Sequence, residues 1–467
     1  MKGSQFWSCL VCGILPALSV ACAVPRGNFV DPPVALATIA SLDDISTEGL
    51  RNRPYSTSIA EAAWRDCGSL GEGGNTRIVE YVSDGLRVLA RLDVPPSPPT
   101  DSGYPVLVFA HGWIGAEAAP DYDFGCGEAS PYGALIKAYL DAGYVTLVPG
   151  FRGHGTVNGR TADGAEWLHA FDNGSYLSPA FYTIDLLNLL SGLNSLPPMA
   201  EDAPLPIDVR RVVLAGHSQG GDVVLTALAA TGEGASSGLE VEAASIWAGT
   251  FVDRFTQLET YGPMEKAPSA FLDGDGSWNG TATGASGAVN PDFVFGYPPH
   301  WIGSPHPQDW DWQTDQWGAS GVEAVMIGKL DEMYETLNNR VGSISGATFG
   351  IHRDAEGRLV VEHDPVVAYQ MAGVGGFRSP QYFSEPLQLH ASDRDFYSLP
   401  EWNFALCADI NALGGACRAY IYPGNTHNLQ LAENPWFSPP GSRSGFDLMI
   451  QRDLSRFAQN ATRVPSE

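Results

Sequence analysis

Gly216, Ser218 and Gly220 form a G-x-S-x-G turn, and this is where chemistry is most concentrated in the chain. An apolar run, Arg211 to Ala215, enters the turn, and a small-residue, helix-competent run, Asp222 to Ala230, leaves it. A nucleophile carried on a very sharp strand-to-helix turn needs neighbours with almost no side chain. Glycines on both sides let the turn close and push the Ser218 hydroxyl out of the sheet. The backbone N–H of Gln219 then lies at a helix N-terminus, where donors face developing negative charge.

A serine nucleophile needs a base, and the base needs a carboxylate to orient it. His427 sits in Tyr422-Pro423-Gly424-Asn425-Thr426-His427-Asn428-Leu429, a loop that follows the last strand-like run. The other histidines have plainer settings: His217 lies inside the turn, His111 and His154 in glycine turns, and His169 and His390 beside no motif. The carboxylate is sought after the strand-like run Pro386 to Ala391, where Ser392-Asp393-Arg394-Asp395 offers Asp393 and Asp395. Asp395 is preferred because it stands three residues beyond Ser392, which leaves Asp393 as a turn residue. A second oxyanion donor is expected from His111-Gly112-Trp113, with the Trp113 backbone N–H the better candidate and its ring a wall for an acyl group.

These residues need a scaffold, and the chain alternates as one would. Thr76 to Val82 and Leu86 to Val94 read as strands joined at Ser83-Asp84-Gly85, a hairpin signal. Tyr104 to Ala110 is a continuous apolar run, as expected of a strand buried on both faces. Helical spacing over Pro131 to Ala142, a strand over Tyr144 to Val148, a helix over Phe181 to Leu193 and a strand over Ala243 to Ala248 continue the rhythm. It breaks at Phe251 to Glu385. That stretch is rich in Gly, Pro and Trp, with helical character at Gly321 to Asn338 and a hairpin over Ile351 to His363 turning at Ala355-Glu356-Gly357. A structureless loop of that length is implausible, so an inserted lid or cap domain is expected. The rhythm returns with Pro386 to Ala391, a helix over Glu401 to Leu413, a strand over Arg418 to Tyr422 and an amphipathic helix over Phe446 to Ala458. The fold class is therefore α/β, a mostly parallel sheet with an antiparallel start.

At this point the chain resembles the α/β-hydrolases, nearest to secreted serine esterases and prolyl-oligopeptidase-like hydrolases. The resemblance rests on His111-Gly112, Arg152-Gly153-His154-Gly155, Gly216 to Gly220, Asp395, and His427 with Leu429, in the chain order Ser, Asp, His. It covers 76–250 and 386–467 as the core. It implies carboxylic ester hydrolysis, or less often amide hydrolysis, through an acyl-enzyme, with no cofactor and no metal. The peptidase alternative carries less weight because the family's propeller cannot be built from the 24–75 leader. A binding protein on a dead scaffold would lack a member of Ser218, Asp395 and His427, and none is lacking. The insertion matches no lid of the family, so substrate choice is assigned to it.

Composition bounds the rest. With 467 residues the chain exceeds one ordinary domain. Its 53 acidic and 26 basic side chains give a net charge of −27, which argues against nucleic acid or an anionic membrane as partner and fits an uncharged or cationic substrate, or a salty habitat, without choosing between them. The small-molecule or polymeric ester substrate is what the resemblance implies. Residues 1–23 read as an export signal, with Lys2, an apolar run from Phe6 to Val20 and cleavage at Ala21-Cys22-Ala23. A lipoprotein reading through Cys22 fits less well because of Ser19. Secretion or a periplasmic location follows, and no later segment reads as transmembrane.

Of seven cysteines, Cys67, Cys126, Cys407 and Cys417 lie beyond the signal. Cys407 with Cys417 is the expected pair, and Cys67 with Cys126 follows by elimination. Asp273-Gly274-Asp275-Gly276-Ser277-Trp278-Asn279 has the oxygen density of a calcium loop but no closing Glu, so a plain turn is preferred. The sequons at Asn173, Asn279 and Asn460 matter only in a glycosylating host.

Overall fold

Asp84 and Gly85 both take positive φ, 52° and 81°, and Ser83 pairs with Leu86 across them. This two-residue turn matches the right-handed twist of the strands it joins, which is why Asp-Gly is favoured there. It opens a sheet seen here in a computed structural model that describes residues 39–67, 75–126, 131–171, 175–198, 204–261, 321–355, 359–393, 395, 398–431 and 440–461. The calcium-like loop, the tryptophans at 278, 301, 310, 312 and 317, the export signal and the sequon asparagines 173 and 279 lie outside the described residues.

In chain order the described strands begin with β1 (Ala60–Trp64), β2 (Asn75–Ser83), β3 (Leu86–Val94), β4 (Tyr104–Ala110) and β5 (Val145–Pro149). A short ribbon, β6 (Thr156–Val157) with β7 (Arg160–Thr161), comes next, then β8 (Ile207–His217) and β9 (Ala243–Trp247). A second ribbon, β10 (Phe349–Arg353) with β11 (Leu359–His363), precedes β12 (Leu387–Ser392) and β13 (Cys417–Tyr422). Nine of these form one sheet in the order β1-β2-β3-β5-β4-β8-β9-β12-β13. The first three strands run antiparallel to their neighbours, and β5, β4, β8, β9, β12 and β13 are mutually parallel. Every residue of β4, β5 and β9 is buried, as continuous apolar strands covered on both faces must be.

The helices α1 (Thr47–Asn52), α2 (Pro131–Asp141), α3 (Ala165–Phe171), α4 (Ser178–Ser191) and α5 (Gln219–Ala230) are followed by Arg254–Tyr261, Gly321–Arg340, Pro365–Ala372, Pro400–Ala412 and Gly445–Ala461. One core lies between the sheet and α4 and α5, where Leu186, Leu189, Val223 and Leu228 meet Val108 and Leu214. The opposite face packs Leu135, Ile136 and Tyr139 of α2, with Met449 and Phe457 of the helix Gly445–Ala461, against Phe109, Val213 and Trp247. After α2, Gly143 at φ 86° donates to Leu140 and closes the helix.

Two stretches make contacts that no local pattern announces. The 24–75 leader shows no clear period, yet its described part holds a 3-10 turn at Leu42–Ile45 capped by Ser41, then α1, then β1 on the sheet edge. Arg51 of α1 is buried and donates to the carbonyls of Ala229, Thr231 and Glu233, satisfying the C-terminal end of α5. Within 251–385, Leu330, Met333, Tyr334 and Leu337 of the helix Gly321–Arg340 join the same core as the sheet. The disulfides Cys67–Cys126 and Cys407–Cys417 are formed, with Cα separations of 4.8 and 5.0 Å.

Candidate active site

Ser218 sits between the end of β8 and the start of α5 with φ 54° and ψ −125°, a backbone state that costs energy for a residue with a side chain. Two contacts hold it there: its N–H donates to Trp247 O at 3.1 Å, and its carbonyl accepts the Gly221 N–H at 2.8 Å. The flanking glycines are sterically obligatory. A Cβ on Gly216 would lie 2.3 Å from Gly220 O, and one on Gly220 would lie 2.2 Å from Ala110 O. Sequence and turn therefore agree for a physical reason: β4, β8 and α5 approach so closely that only hydrogen fits.

The loop after β4 lies against this turn. A methyl added to Gly112 would come 3.2 Å from Ser218 Cβ and 3.1 Å from His217 Nδ1. Gly112 N–H donates to Tyr132 Oη at 3.0 Å. The next residue, Trp113, is 54% exposed, and its ring packs over Gly115. Gln219 is buried, with its side-chain amide donating to Ser178 Oγ at 3.1 Å. Its backbone N–H lies at the N-terminal end of α5.

Asp395 and His427 come from the loops after β12 and β13, neighbouring parallel strands paired Leu387↔Cys417 through Ser392↔Tyr422. His427 Nδ1 lies 2.9 Å from Asp395 Oδ2 and 3.0 Å from Oδ1. Asp395 is fully buried, so this carboxylate has exchanged water for the imidazole and for the Ser398 N–H at 3.1 Å. Asp393 is engaged elsewhere: its Oδ1 accepts the Gly424 N–H at 2.7 Å.

The His427 loop is organised by Asn425, which sequence reading passed over. Buried Asn425 accepts from Gly445 N–H at 2.8 Å and donates to Pro423 O and Arg443 O, both at 3.0 Å. Leu429 takes φ 54° and is fully buried, and its carbonyl accepts the Phe446 N–H at 2.9 Å.

Three further groups make contacts that the sequence reading did not anticipate. His217 accompanies the elbow as more than a spacer, since its ring stacks 4.7 Å from Trp247 and lies 4.8 Å from the His427 ring. Burial holds it neutral, well below the usual imidazole range, and the nearby His427 acts in the same direction. Asp222, one turn into α5, accepts from Tyr176 Oη and from Phe251 N–H at 2.7 Å, and burial pushes its carboxyl up to about 7. His390, which no motif flagged, contacts Asp453 at 3.1 Å and Tyr422 Oη at 2.7 Å beneath β12 and β13. Among the described residues no cluster of His, Cys, Asp or Glu is arranged to hold a metal ion.

A sheet of this order, with a serine at positive φ between its central parallel strand and the following helix, has the α/β-hydrolase fold. No protein-family model and no curated protein matches the chain. Solved structures similar to it include an acetyl xylan esterase from Paenibacillus sp. R4, at 14% identity and TM-score 0.46 over 89% of this chain and 92% of that one. Acetyl xylan esterase 1 from Thermoanaerobacterium sp. JW/SL YS485 is similar at 13% identity and TM-score 0.47, over 90% and 95% of the two chains. The acylaminoacyl peptidase of Pyrococcus horikoshii is similar at 14% identity and TM-score 0.44, over 85% of this chain and 43% of that one.

Proposed function

We propose that this chain is a secreted serine hydrolase that cleaves carboxylic esters through an acyl-enzyme. The observation that carries the proposal is the buried Asp395 carboxylate at 2.9 Å from His427 Nδ1, with the His427 ring 4.8 Å from that of His217, the residue before a serine held at φ 54°. In this reading Ser218 Oγ attacks the ester carbonyl while His427 Nε2 takes its proton. The same imidazole then protonates the leaving alcohol, and in the second half-reaction it activates the water that releases the acid. Asp395 fixes the ring with Nδ1–H toward itself and stabilises the imidazolium. The backbone N–H groups of Gln219 and Trp113 receive the oxyanion, a contribution of about 3 kcal/mol per donor in comparable sites. This chemistry calls on no cofactor.

Export through residues 1–23 belongs to the same proposal. The two disulfides support an oxidising compartment. Among the described residues no helix is long and apolar enough to cross a membrane. Substrate choice is assigned to the 251–385 insertion.

The test is fluorophosphonate labelling followed by hydrolysis of p-nitrophenyl esters from acetyl to palmitoyl, with Ser218→Ala as control. Labelling and turnover that both vanish in Ser218→Ala support the proposal. Folded protein that does not label overturns it in favour of a binding protein on this scaffold. Cleavage of a prolyl-peptide anilide with poor ester turnover replaces the esterase with a peptidase.

A further inference from the structure

Three hydrogen bonds run from the loop beside Ser218 to the backbone of His427. Gly112 N–H donates to Tyr132 Oη at 3.0 Å, Tyr132 Oη lies 2.8 Å from His217 Nδ1, and His217 Nε2 lies 3.4 Å from His427 O. The proton positions follow from what each group can do. A carbonyl only accepts, so Nε2 of His217 carries the ring proton. In the neutral ring Nδ1 then accepts, and Tyr132 O–H donates to it. The Tyr132 oxygen is left to receive the Gly112 N–H. One hydroxyl thus serves two masters in one direction of donation, Gly112 to Tyr132 to His217 to His427. Because His217 is buried and its ring lies against both Trp247 and His427, the chain is held by packing as well as by bonds.

We infer that Tyr132 and His217 are positioning residues for the reaction, tying the Gly112-Trp113 oxyanion loop to the catalytic histidine across the base of the site. The inference rests on the serine-hydrolase reading above. Tyr132 acts through its hydroxyl on two partners that must keep a fixed separation: the loop whose N–H is to receive the oxyanion, and the segment that carries the base. His217, the residue immediately before Ser218, transmits one half of that constraint. Its neutrality matters as well, because His427 becomes a cation during the reaction and a second imidazolium 4.8 Å away would oppose it. A displacement near 1 Å in such an arrangement costs about 10²-fold in rate without loosening substrate binding.

The experiment compares Tyr132→Phe, His217→Leu, His217→Gln and the double variant Tyr132→Phe/His217→Leu with the full-length enzyme on p-nitrophenyl butyrate. Tyr132→Phe and His217→Leu are expected to lower kcat roughly 10- to 100-fold, with KM within about threefold. The Gln amide can still donate to the His427 carbonyl, so His217→Gln is expected to return kcat to within about fivefold of the wild type. The double variant should fall no more than about threefold below the worse single one, because both break the same chain. A role in stability alone would lower the melting midpoint and the folded fraction without this rescue. Tyr132→Phe or His217→Leu within threefold of the wild type, multiplicative losses in the double variant, or no rescue by Gln would each overturn the inference. A wild type that neither labels with fluorophosphonate nor turns over the ester removes the hydrolase reading, and the inference with it. An active, labelled wild type with silent variants removes the inference alone.

Discussion

Asp393 Oδ1 accepts the Gly424 N–H at 2.7 Å, joining the loop after β12 to the loop after β13. Two residues further on, Asp395 faces His427 Nδ1 at 2.9 Å. The two aspartates thus divide the work that sequence spacing left between them. Asp395→Asn is expected to lower kcat by about 10³- to 10⁴-fold, because an amide in place of the carboxylate favours the wrong imidazole tautomer. Asp393→Ala should cost only about 10-fold, by loosening the His427 loop. Steady-state kinetics of the two variants on one ester decide the assignment, and equal losses would contradict it.

The elbow permits a steric prediction. A Cβ on Gly220 meets Ala110 O at 2.2 Å and His111 O at 2.4 Å, backbone atoms of β4 and the loop after it that have no side-chain freedom to yield. Gly220→Ala is therefore expected to force β4 and α5 apart and to destabilise the fold by about 3 kcal/mol or more, at the upper end for a single substitution. Urea unfolding checks this. A variant with wild-type midpoint would show that the turn is looser than its geometry.

Much of this architecture was legible in the sequence, for reasons that differ by region. Tyr104 to Ala110 and the Asp84-Gly85 turn announce themselves because burial on both faces and positive φ leave few residue types available. The leader was not legible because α1 is six residues long, too short to display a period. Its apolar residues answer to a distant core rather than to a neighbour. Strand β8 begins at Ile207, earlier than the apolar run indicates. Asp208 and Arg210 interrupt the pattern there, in a stretch where the ladder with β4 shifts register between Tyr104↔Ile207 and Val106↔Val212. The role of His217 was hidden for a related reason. Its hydrogen-bond partners stand 85 and 210 residues away, and no spacing rule reaches them.

Arg51 illustrates how the leader supports the elbow from behind. Its guanidinium donates to Ala229 O at 2.6 Å and Thr231 O at 2.9 Å, at the C-terminal end of the helix that Ser218 begins, and to Glu233 O at 2.6 Å in the loop just beyond. The cation also meets the negative end of that helix dipole and lies 4.1 Å over the Tyr382 ring. Arg51→Met keeps most of the volume and takes the guanidinium donors from the buried Ala229 and Thr231 carbonyls. The expected loss is about 3 kcal/mol of stability, with kcat unchanged while the protein remains folded. Denaturant unfolding read beside ester turnover separates the two. A fall in kcat at full folding would mean that the strain reaches Ser218.

Asp222 makes stability depend on pH in a direction opposite to that of a paired carboxylate. Burial raises its folded pKa from 3.8 to about 7, against the opposing bonds from Tyr176 and the Phe251 N–H. Between those values the native state binds more protons than the unfolded chain, so the free energy of unfolding falls as pH rises from about 4 to about 7 and then levels. The buried histidines act the other way. His111 is lowered to about 4 and His154 to about 3 by burial, so their contribution is complete above the ordinary imidazole value and is lost as pH falls toward those numbers. Comparing the wild type with Asp222→Asn at each pH cancels the histidines and isolates the carboxyl. The amide oxygen still accepts the Phe251 N–H, so the variant keeps the tie between α5 and the segment entering the insertion. Urea unfolding at pH 5 and pH 8 should show Asp222→Asn gaining on the wild type as pH rises, by on the order of 1 kcal/mol per pH unit at most. A difference between the two proteins that stays constant from pH 5 to 8 would mean that Asp222 ionises in the folded state as readily as in the unfolded chain.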